Sequence, residues 1–348
     1  MLRVGINGFG RIGRSMLRIS QQKNLFDVVA INDIDSNVEN HAYLLRYDSH
    51  YGRFDGKVIA NNDEMEMTVN GEKIKFFSGS DVSEVKWENA DVDVVIDATG
   101  VHQNVISSRA LVDSGRVKKV VITHAPKEGV DATIVFGVNE MDYDSSEHHV
   151  VSSSICDVIS SAVVLNILEK EYGIRSGFAT TLHPWLSYQN VLDGTVQSIS
   201  SPGHLWEDFT LGRSSSVSLI PKKTTLTGAL SSVLPEISDR IHAMSFRIPT
   251  GTVTTADVVL ELEKETDAQS VFNLLKKQSE KMPSIMGFSD EPLVSIDYLG
   301  INESLIVDGR WIEIANGRNL RLVYWYDNEW GYSNRVVDLA VLIGGELG

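Results

Sequence analysis

Short apolar runs alternate with amphipathic stretches through the first 155 residues of the chain. The apolar runs, each long enough for one strand, cover 2–6, 27–32, 92–97, 119–122 and 132–136. Between them, apolar positions recur with helical spacing over 11–21 and 103–113. Strands that alternate with helices indicate a doubly wound, mostly parallel sheet, so the pattern predicts an α/β fold. Residues 56–78 contain the turn pair Asn70-Gly71 and predict a hairpin.

Beyond Cys156 the pattern changes to a helix followed by several closely spaced strands. One helix is predicted over 157–171 and another near 267–281. Further strands are predicted at 252–263, 293–297, 304–307, 311–315 and 319–326. Tight turns such as Asp308-Gly309 join some of these strands, which indicates a second, α+β domain with a largely antiparallel sheet. A last helix is predicted over 334–343.

The composition fits a globular protein of two domains. At 348 residues, with 42% apolar and 22% charged residues, the chain is long for one core and shows no sign of general disorder. The single cysteine excludes an intrachain disulfide and, with an N-terminus that does not resemble a leader, predicts a cytoplasmic location. No apolar run approaches membrane-spanning length, and the net charge of −16 disfavours nucleic acid or an anionic membrane as a partner.

A glycine-rich motif indicates a dinucleotide site at the end of the first predicted strand. The run Gly8-Phe9-Gly10-Arg11-Ile12-Gly13 follows that strand and opens the helix over 11–21. Its glycines let the backbone approach a pyrophosphate, which the free N–H groups of the helix N-terminus would bind. Asp33 ends the second strand, where its carboxylate would bind a ribose diol and repel a 2′-phosphate, so NAD is favoured over NADP. We therefore predict a Rossmann-type domain.

Cys156, the only cysteine, stands at the start of the predicted helix over 157–171. A helix N-terminus lowers the pKa of a thiol, whereas the neighbouring Asp157 carboxylate would raise it. His183 is a candidate base, although nine histidines are present and sequence alone does not single this one out. Taken by themselves, the cysteine could be a small buried hydrophobe and the histidine an ordinary polar residue. Beside a cofactor site, an ionised sulfur and an imidazole predict thiolate addition to an aldehyde, with hydride transfer to NAD.

The chain resembles the phosphorylating glyceraldehyde-3-phosphate dehydrogenases and their erythrose-4-phosphate dehydrogenase relatives over essentially its whole length. The segments that match the family's motifs, in the right order, are Ile6–Arg14, Ile31–Asp33, Tyr47–Ser49, Ala98–Val101 and Trp325–Arg335. The resemblance implies a glycolytic, NAD-dependent oxidoreductase of the cytoplasm that forms a homotetramer. We expect a dinucleotide-binding domain over 1–155, with a C-terminal helix over 334–348 packing back on it, and a catalytic domain over 156–333.

The resemblance also implies roles for individual residues of this chain. Cys156 would be the nucleophile, which forms a hemithioacetal and then a thioester, and His183 the general base that also stabilises the oxyanion. Arg247 matches an arginine that binds anionic substrate groups, and Arg213 and Thr224 are further candidates for substrate binding. The residues implied for cofactor binding are Gly8, Gly10, Arg11, Ile12, Gly13, Asp33, Thr99 and, near the nicotinamide ring, Asn328 and Tyr332.

The departures from the family pattern fall around the substrate. The family usually has Ser-Cys-Thr-Thr-Asn-Cys around its nucleophile, where this chain has Ile155-Cys156-Asp157-Val158-Ile159-Ser160. Past the histidine the family usually has a pair of polar residues, where this chain has Leu186 and Tyr188. The family's usual Thr-Gly pair aligns with Thr224-Thr225, and Thr227-Gly228 is close by. We therefore expect an aldehyde that may differ from glyceraldehyde 3-phosphate, inorganic phosphate or water as the acyl acceptor, and no metal. The alternative is an NAD-binding pseudoenzyme with a regulatory or interaction role.

Overall fold

The computed structural model describes residues 1–198, 201–202 and 204–345. It contains two large β-sheets, one made of strands that precede Cys156 in the chain and one made of strands that follow it. The strands that precede this cysteine are β1 (Arg3–Asn7), β2 (Asp27–Asn32), β3 (Tyr47–Asp48), β4 (Gly52–Arg53), β5 (Val58–Asn61), β6 (Glu66–Val69), β7 (Glu72–Phe77), β8 (Val94–Asp97), β9 (Lys119–Ile122), β10 (Ala132–Thr133) and β11 (Val150–Ser152). The helical segments among them are α1 (Arg11–Lys23), α2 (Val38–Arg46) and α3 (His102–Asp113), with 3-10 turns at Trp87–Ala90 and Glu140–Asp142.

The first sheet has nine strands in the order β10-β11-β9-β8-β1-β2-β7-β6-β5. Strand β1 is parallel to both of its neighbours, β2 and β8, and the strands from β8 to β10 continue in parallel. Strands β8 and β9 are buried along their whole length, as expected where helices cover both faces of a sheet. The predicted α/β fold with a doubly wound parallel sheet is therefore confirmed.

The edge of this sheet is an antiparallel excursion made by β5, β6 and β7. The turn between β6 and β7 is Asn70-Gly71, whose φ angles of 52° and 95° are the positive values that a two-residue type I′ turn requires. The hairpin predicted over 56–78 is thus confirmed, and it joins the parallel part of the sheet through the pairing of β7 with β2.

The second part of the chain contains strands β12 (Ile174–Pro184), β13 (Ile220–Lys223), β14 (Ile241–Ile248), β15 (Thr254–Leu262), β16 (Met286–Ser289), β17 (Leu305–Ala315) and β18 (Asn319–Tyr326). Its helical segments are α4 (Cys156–Tyr172), α5 (Leu226–Leu230), α6 (Pro235–Ser238), α7 (Ala268–Lys281) and α8 (Trp330–Gly345), with 3-10 turns at Phe209–Gly212 and Ser295–Tyr298. The strands form one sheet in the order β13-β14-β12-β15-β18-β17-β16. Neighbours are antiparallel except β12 with β14 and β16 with β17, which confirms the largely antiparallel second sheet.

Two short segments differ from their predictions. The strand predicted at 132–136 is limited to the two residues of β10. The segment predicted as a strand at 293–297 instead enters the 3-10 turn Ser295–Tyr298. The Asp297 carboxylate closes this turn by accepting a hydrogen bond from the Val294 N–H at 2.8 Å, so a local side-chain contact outweighs the apolar pattern.

The runs predicted as two strands, 304–307 and 311–315, belong to the single strand β17, which has a bulge after Asp308. The Asp308 side chain is buried and accepts hydrogen bonds from Arg310 Nε at 2.8 Å and from the Trp325 indole at 3.2 Å. The pair Asp308-Gly309, which suggests a turn, therefore lies inside the sheet. The carboxylate can be buried there because these donors replace its hydrogen bonds to water.

Helix α4 places Cys156 at one end of a fully packed element. Every side chain from Asp157 to Leu168 is buried, so the helix contacts its surroundings on all sides. Its polar groups find partners, as where Ser161 Oγ lies 2.7 Å from Tyr324 OH. Each fully buried aliphatic side chain contributes about 1.5–3 kcal/mol, which makes any displacement of the helix costly. The core thereby fixes the position of the thiol.

The C-terminal helix α8 packs against α1 and against β8 and β9 of the first sheet. Lys23 Nζ donates a hydrogen bond to Asn334 Oδ1 at 2.6 Å across this contact. Residues 346–348 of the predicted helix lie outside the described residues, and the domain limits at 155 and 333 stay a prediction. None of the described helices has the length and hydropathy that a bilayer crossing needs.

We predict that Gly13→Ala destabilises the protein, whereas Gly10→Ala does not. A Cβ at Gly13 would lie 2.3 Å from the carbonyl oxygen of Gly8, a backbone atom of the same turn. A Cβ at Gly10 would meet no atom within 4 Å. We expect the first variant to lose about 1–3 kcal/mol in its free energy of unfolding, measured by urea denaturation. Equal stability of the two variants would contradict this account of the turn.

Candidate active site

A cavity of about 460 Å³ opens where the carboxyl ends of the first sheet's strands meet the second sheet. The first part of the chain lines it with Gly10, Arg11, Ile12, Ala98, Thr99, Gly100 and Thr123. Ile155 also belongs to the first part, and the second part contributes Cys156, Asp157, His183, Leu186, Ser187, Tyr188, Lys222, Lys223, Thr224, Thr225, Ser245, Arg247, Asn328, Glu329 and Tyr332. Open α/β sheets bind their ligands at this edge, so the cavity is the candidate active site.

The Cys156 thiol and the His183 imidazole meet in this cavity. Cys156 Sγ, at the first residue of α4, lies 3.7 Å from His183 Nε2, near the end of β12. The other ring nitrogen, Nδ1, lies 2.9 Å from the Pro184 carbonyl oxygen, which can only accept, so Nδ1 is the donor. Burial and the Arg247 cation lower the pKa of His183 to about 4, which keeps the imidazole neutral at neutral pH. Nε2 therefore presents a free lone pair to the sulfur.

The surroundings of Cys156 disfavour the thiolate, contrary to the expectation of an ionised sulfur. Burial raises the pKa of Cys156 well above its usual value, and the Asp157 carboxylate raises it further. The Arg247 cation acts in the opposite direction without overcoming these effects. The predicted helix N-terminus is present, but Sγ lies only 3.5 Å from Asp157 Oδ1. The resting pair is a thiol beside a neutral base.

Hydrogen bonds from both sides hold the Asp157 carboxylate in place. Its side chain is buried, Oδ1 accepts a hydrogen bond from the Tyr326 hydroxyl at 2.8 Å, and Oδ2 accepts one from Thr224 Oγ1 at 3.3 Å. These bonds replace part of the hydration that burial removes. Thr224, predicted to bind substrate, does line the cavity, but its hydroxyl proton is directed at this carboxylate. A fixed negative charge therefore stands next to the sulfur.

Three cationic side chains line the same cavity. Arg247 on β14 pairs in register with His183 on β12, and its buried Nε has no hydrogen-bond partner among the described residues. Lys222 and Lys223, at the end of β13, also line the cavity, but they lie outside the family motifs and are not predicted from the sequence. Their only sequence signal is a pair of lysines directly before Thr224. An unsatisfied guanidinium N–H and two ammonium groups fit an anionic substrate group.

Arg213 does not line the cavity, so the expectation that it supplies a second cation there is wrong. Its Nε lies 3.3 Å from Asp193 Oδ2, and both side chains are mostly exposed. The segment after His183 folds back on itself, with the Gly194 N–H donating to the Gly212 carbonyl oxygen at 2.8 Å. The arginine is therefore engaged in a local ion pair on the surface.

The glycine motif forms a cradle that fits a dinucleotide. Gly8 has a φ of 91°, and a Cβ there would lie 2.9 Å from the carbonyl carbon of Ala98. Gly10 stands at the start of α1 beside open space. The Phe9 N–H donates to Asp33 Oδ2 at 2.7 Å, which holds this carboxylate at the end of β2 next to the loop. A close backbone turn, a helix N-terminus and an adjacent carboxylate are the groups that bind NAD.

Other residues predicted to bind the cofactor reach the cavity from distant parts of the chain. Asn328 has a buried Oδ1 with no partner among the described residues, so this oxygen is available to a ligand amide. Tyr332 lines the same region. The guanidinium of Arg11 is bound by the Glu329 and Asp48 carboxylates, which leaves its backbone N–H, rather than its charge, for a ligand. The set as a whole fits NAD.

Two models of one family match the chain. The model described as "Glyceraldehyde 3-phosphate dehydrogenase, NAD binding domain" matches residues 2–105, and the one described as "Glyceraldehyde 3-phosphate dehydrogenase, C-terminal domain" matches residues 155–328. Similar curated proteins include "Glyceraldehyde-3-phosphate dehydrogenase" of Geobacillus stearothermophilus, 37% identical over 99% of both chains. "Glyceraldehyde-3-phosphate dehydrogenase 1" of Bacillus cereus is 36% identical and "Glyceraldehyde-3-phosphate dehydrogenase 2" of Saccharomyces cerevisiae 37% identical, each over 98% of both chains.

We predict that Asp157→Asn accelerates the alkylation of Cys156 by iodoacetamide at neutral pH. Asparagine keeps the shape of the side chain and removes the charge that disfavours the thiolate, so the pKa of the thiol falls. Each unit of that fall raises the thiolate fraction about tenfold while the thiol predominates. The pH profile of the alkylation rate should therefore move to lower pH. Asp290→Asn, at an exposed carboxylate, is the control, and an unmoved profile in the first variant would refute the argument.

Proposed function

Since the chain belongs to the glyceraldehyde-3-phosphate dehydrogenase family and is an NAD-dependent oxidoreductase, we propose that it oxidises a phosphorylated aldehyde through a thioester on Cys156. The observation that supports this most directly is the 3.7 Å contact between Cys156 Sγ and His183 Nε2 inside the cavity. A nucleophile, a neutral base within reach and an adjacent cofactor cradle are the groups that such a reaction requires.

In the proposed mechanism, sulfur adds to the aldehyde carbon as His183 takes the thiol proton. Nε2 can accept it because the imidazole is neutral and its Nδ1–H is fixed to the Pro184 carbonyl. The imidazolium then donates a hydrogen bond to the alkoxide oxygen of the hemithioacetal and stabilises its charge, and it releases its proton to solvent once the thioester has formed. NAD, when bound, supplies the hydride acceptor. As the hydride leaves, the carbonyl re-forms and an acyl group remains on Cys156 as a thioester.

The cations of the cavity support a substrate with a negatively charged end. Lys222 pairs with Ser245 on the neighbouring strand, two residues from Arg247 on the same face, and both cations line the cavity, so both can contact one phosphate group. Leu186 and Tyr188 line the cavity where the family has polar residues, so the body of the aldehyde meets a more apolar surface. We propose an aldehyde other than glyceraldehyde 3-phosphate on this basis.

We propose water, rather than inorganic phosphate, as the acyl acceptor. Attack by phosphate would bring an anion next to the thioester, where the Asp157 carboxylate is held by Tyr326 and Thr224. Repulsion between like charges in a partly buried site opposes that approach, whereas neutral water meets no such barrier. The released product is then a carboxylic acid.

We also propose a cytoplasmic homotetramer, as the family resemblance implies. The segment after His183 exposes several large apolar side chains, namely Val191, Leu192, Leu205, Phe209, Val217 and Leu219. Exposed apolar surface of this kind is typical of an interaction site. Sedimentation equilibrium measures the assembly, and a monomer at micromolar concentration would contradict it.

The alternative of an NAD-binding pseudoenzyme finds no support in the comparisons, because the matched relatives are named as dehydrogenases. The position of His183 Nε2, 3.7 Å from Cys156 Sγ, is what an enzyme of this kind needs, whereas the raised pKa of the thiol opposes proton transfer to it. Activity of the purified chain decides between the two.

We predict that the purified chain reduces NAD in the presence of phosphorylated aldehydes and that Cys156→Ser abolishes this reduction while NAD affinity stays nearly unchanged. Serine has a similar size but is a much weaker nucleophile at this pH. The measurement is cofactor absorbance over a panel of phosphorylated and unphosphorylated aldehydes, with calorimetry for NAD. Equal turnover of variant and parent would remove the covalent mechanism.

The same panel, run with and without inorganic phosphate, identifies the acyl acceptor. We expect turnover without phosphate and a carboxylic acid as the product. Strict dependence on phosphate, with an acyl phosphate as product, would show that Asp157 does not exclude this anion.

We predict that Lys222→Met raises the KM for a phosphorylated aldehyde at least about tenfold and barely changes the KM for an unphosphorylated analogue. A hydrogen bond to a charged group contributes about 1.5–3 kcal/mol, and methionine retains the length of the side chain without its charge. Lys277→Met, at an exposed lysine of α7, is the matched control. An equal loss with both substrates would assign Lys222 a structural role instead.

A further inference from the structure

Aldehyde oxidation uses Cys156 and His183, but it does not need the Asp157 carboxylate that lies beside them. Cys156 Sγ, a carboxylate oxygen of Asp157 and a ring nitrogen of His183 all lie within 4.8 Å of one another. Sγ is 3.5 Å from Asp157 Oδ1 and 3.7 Å from His183 Nε2. Within the described part of the chain, this is the single cluster of three such metal-binding side chains.

The two distances from the sulfur match the ligand spacing of a tetrahedral zinc ion, and the carboxylate oxygen and the ring nitrogen lie within 4.8 Å of each other. With a Zn–S distance of about 2.3 Å and a Zn–N distance of about 2.0 Å, tetrahedral angles place sulfur and nitrogen about 3.5 Å apart. Thiolate, imidazole and carboxylate are the side chains that bind Zn²⁺, whereas Mg²⁺ and Ca²⁺ prefer sites made of oxygen alone. All three side chains line the cavity, so water can supply a fourth ligand.

Contacts behind the ligand atoms already orient them. The Nδ1–H of His183 donates to the Pro184 carbonyl oxygen at 2.9 Å, so Nε2 faces the sulfur as an acceptor. The Tyr326 hydroxyl donates to Asp157 Oδ1 at 2.8 Å and fixes the carboxylate. Metal sites in proteins use such outer hydrogen bonds to hold histidine and carboxylate ligands. We propose that Cys156, Asp157 and His183 bind Zn²⁺ and that the bound ion blocks the nucleophile.

Asp157 makes the charge balance of this site favourable. Arg247 and Lys222 line the same cavity and oppose the entry of a cation. A thiolate and a carboxylate together offset both charges of the ion, which a thiolate and the threonine of the family pattern would not. The site therefore depends on the replacement of that threonine by Asp157 and goes beyond the dehydrogenase function.

Binding replaces the S–H bond by a sulfur–metal bond. One proton is released to solvent for each ion, and no electron is transferred. The occupied sulfur can neither add to an aldehyde nor react with iodoacetamide. A chelator removes the ion and restores the thiol, so the inhibition is reversible.

Cadmium is the probe, because a cadmium–thiolate bond has an ultraviolet charge-transfer band and the chain has one cysteine that can produce it. We expect the chelator-treated full chain to bind one Cd²⁺, release one proton and lose its reactivity toward iodoacetamide, with Zn²⁺ displacing the probe. Asp157→Thr and Asp157→Asn should bind Cd²⁺ at least about tenfold more weakly, and Tyr326→Phe about tenfold more weakly. Asp290→Asn, at an exposed carboxylate, should bind like the parent.

Absence of the charge-transfer band in the parent would overturn the proposal, as would parent affinity in both Asp157 variants. Circular dichroism shows whether those variants fold, because Asp157 is buried. If neither folds, Tyr326→Phe decides: it alters no ligand, and unchanged affinity in that variant would count against the site. The readout is independent of dehydrogenase activity, so the proposed function and this proposal fail separately.

Discussion

The contact between Cys156 Sγ and His183 Nε2 depends on two anchors that belong to the core of the protein. The thiol is the first residue of α4, in which every side chain from Asp157 to Leu168 is buried. The imidazole lies near the end of β12, a strand paired on both sides within the second sheet. Because interiors pack as densely as organic crystals, neither anchor shifts without loss of contacts elsewhere. The distance over which the proton moves is therefore set by the packing of two elements.

The buried carboxylate of Asp157 is the main difference between this site and the family pattern. Removing Asp157 from water is costly, and the hydroxyls of Tyr326 and Thr224 offset part of that cost. The same charge disfavours the thiolate, so the nucleophile depends on a base rather than on prior ionisation. It also opposes a second anion and supplies an oxygen ligand next to a sulfur and a nitrogen. Under the two proposals, this single change from the family pattern affects the protonation of the thiol, the choice of acyl acceptor and the affinity for a metal ion.

Much of the fold is predictable because its signals are local. The alternation of strands and helices, the glycine motif and the Asn70-Gly71 turn each follow from neighbouring residues. The continuous strand β17 is not, since the Trp325 indole that satisfies Asp308 comes from another strand. For the site, local patterns offer Cys156 as a candidate, but only the family resemblance selects His183.

The protonation of the thiol lies beyond the sequence for a related reason, because it depends on burial, which is a property of the assembled fold. Which cationic side chains line the cavity also depends on the assembled fold. The family resemblance offers Arg213 and misses Lys222, and the path of the chain after His183 places Lys222, not Arg213, at the cavity. A further consequence follows from the Pro184 carbonyl oxygen, which is shared by His183 Nδ1 at 2.9 Å and Arg247 Nη1 at 3.4 Å. An anion that draws the guanidinium toward itself leaves this oxygen to the imidazole alone, and a stronger acceptor at Nδ1 makes Nε2 more basic. The guanidinium and the imidazole are thus linked through one backbone oxygen, and a change in the hydrogen bond of one side chain alters that of the other.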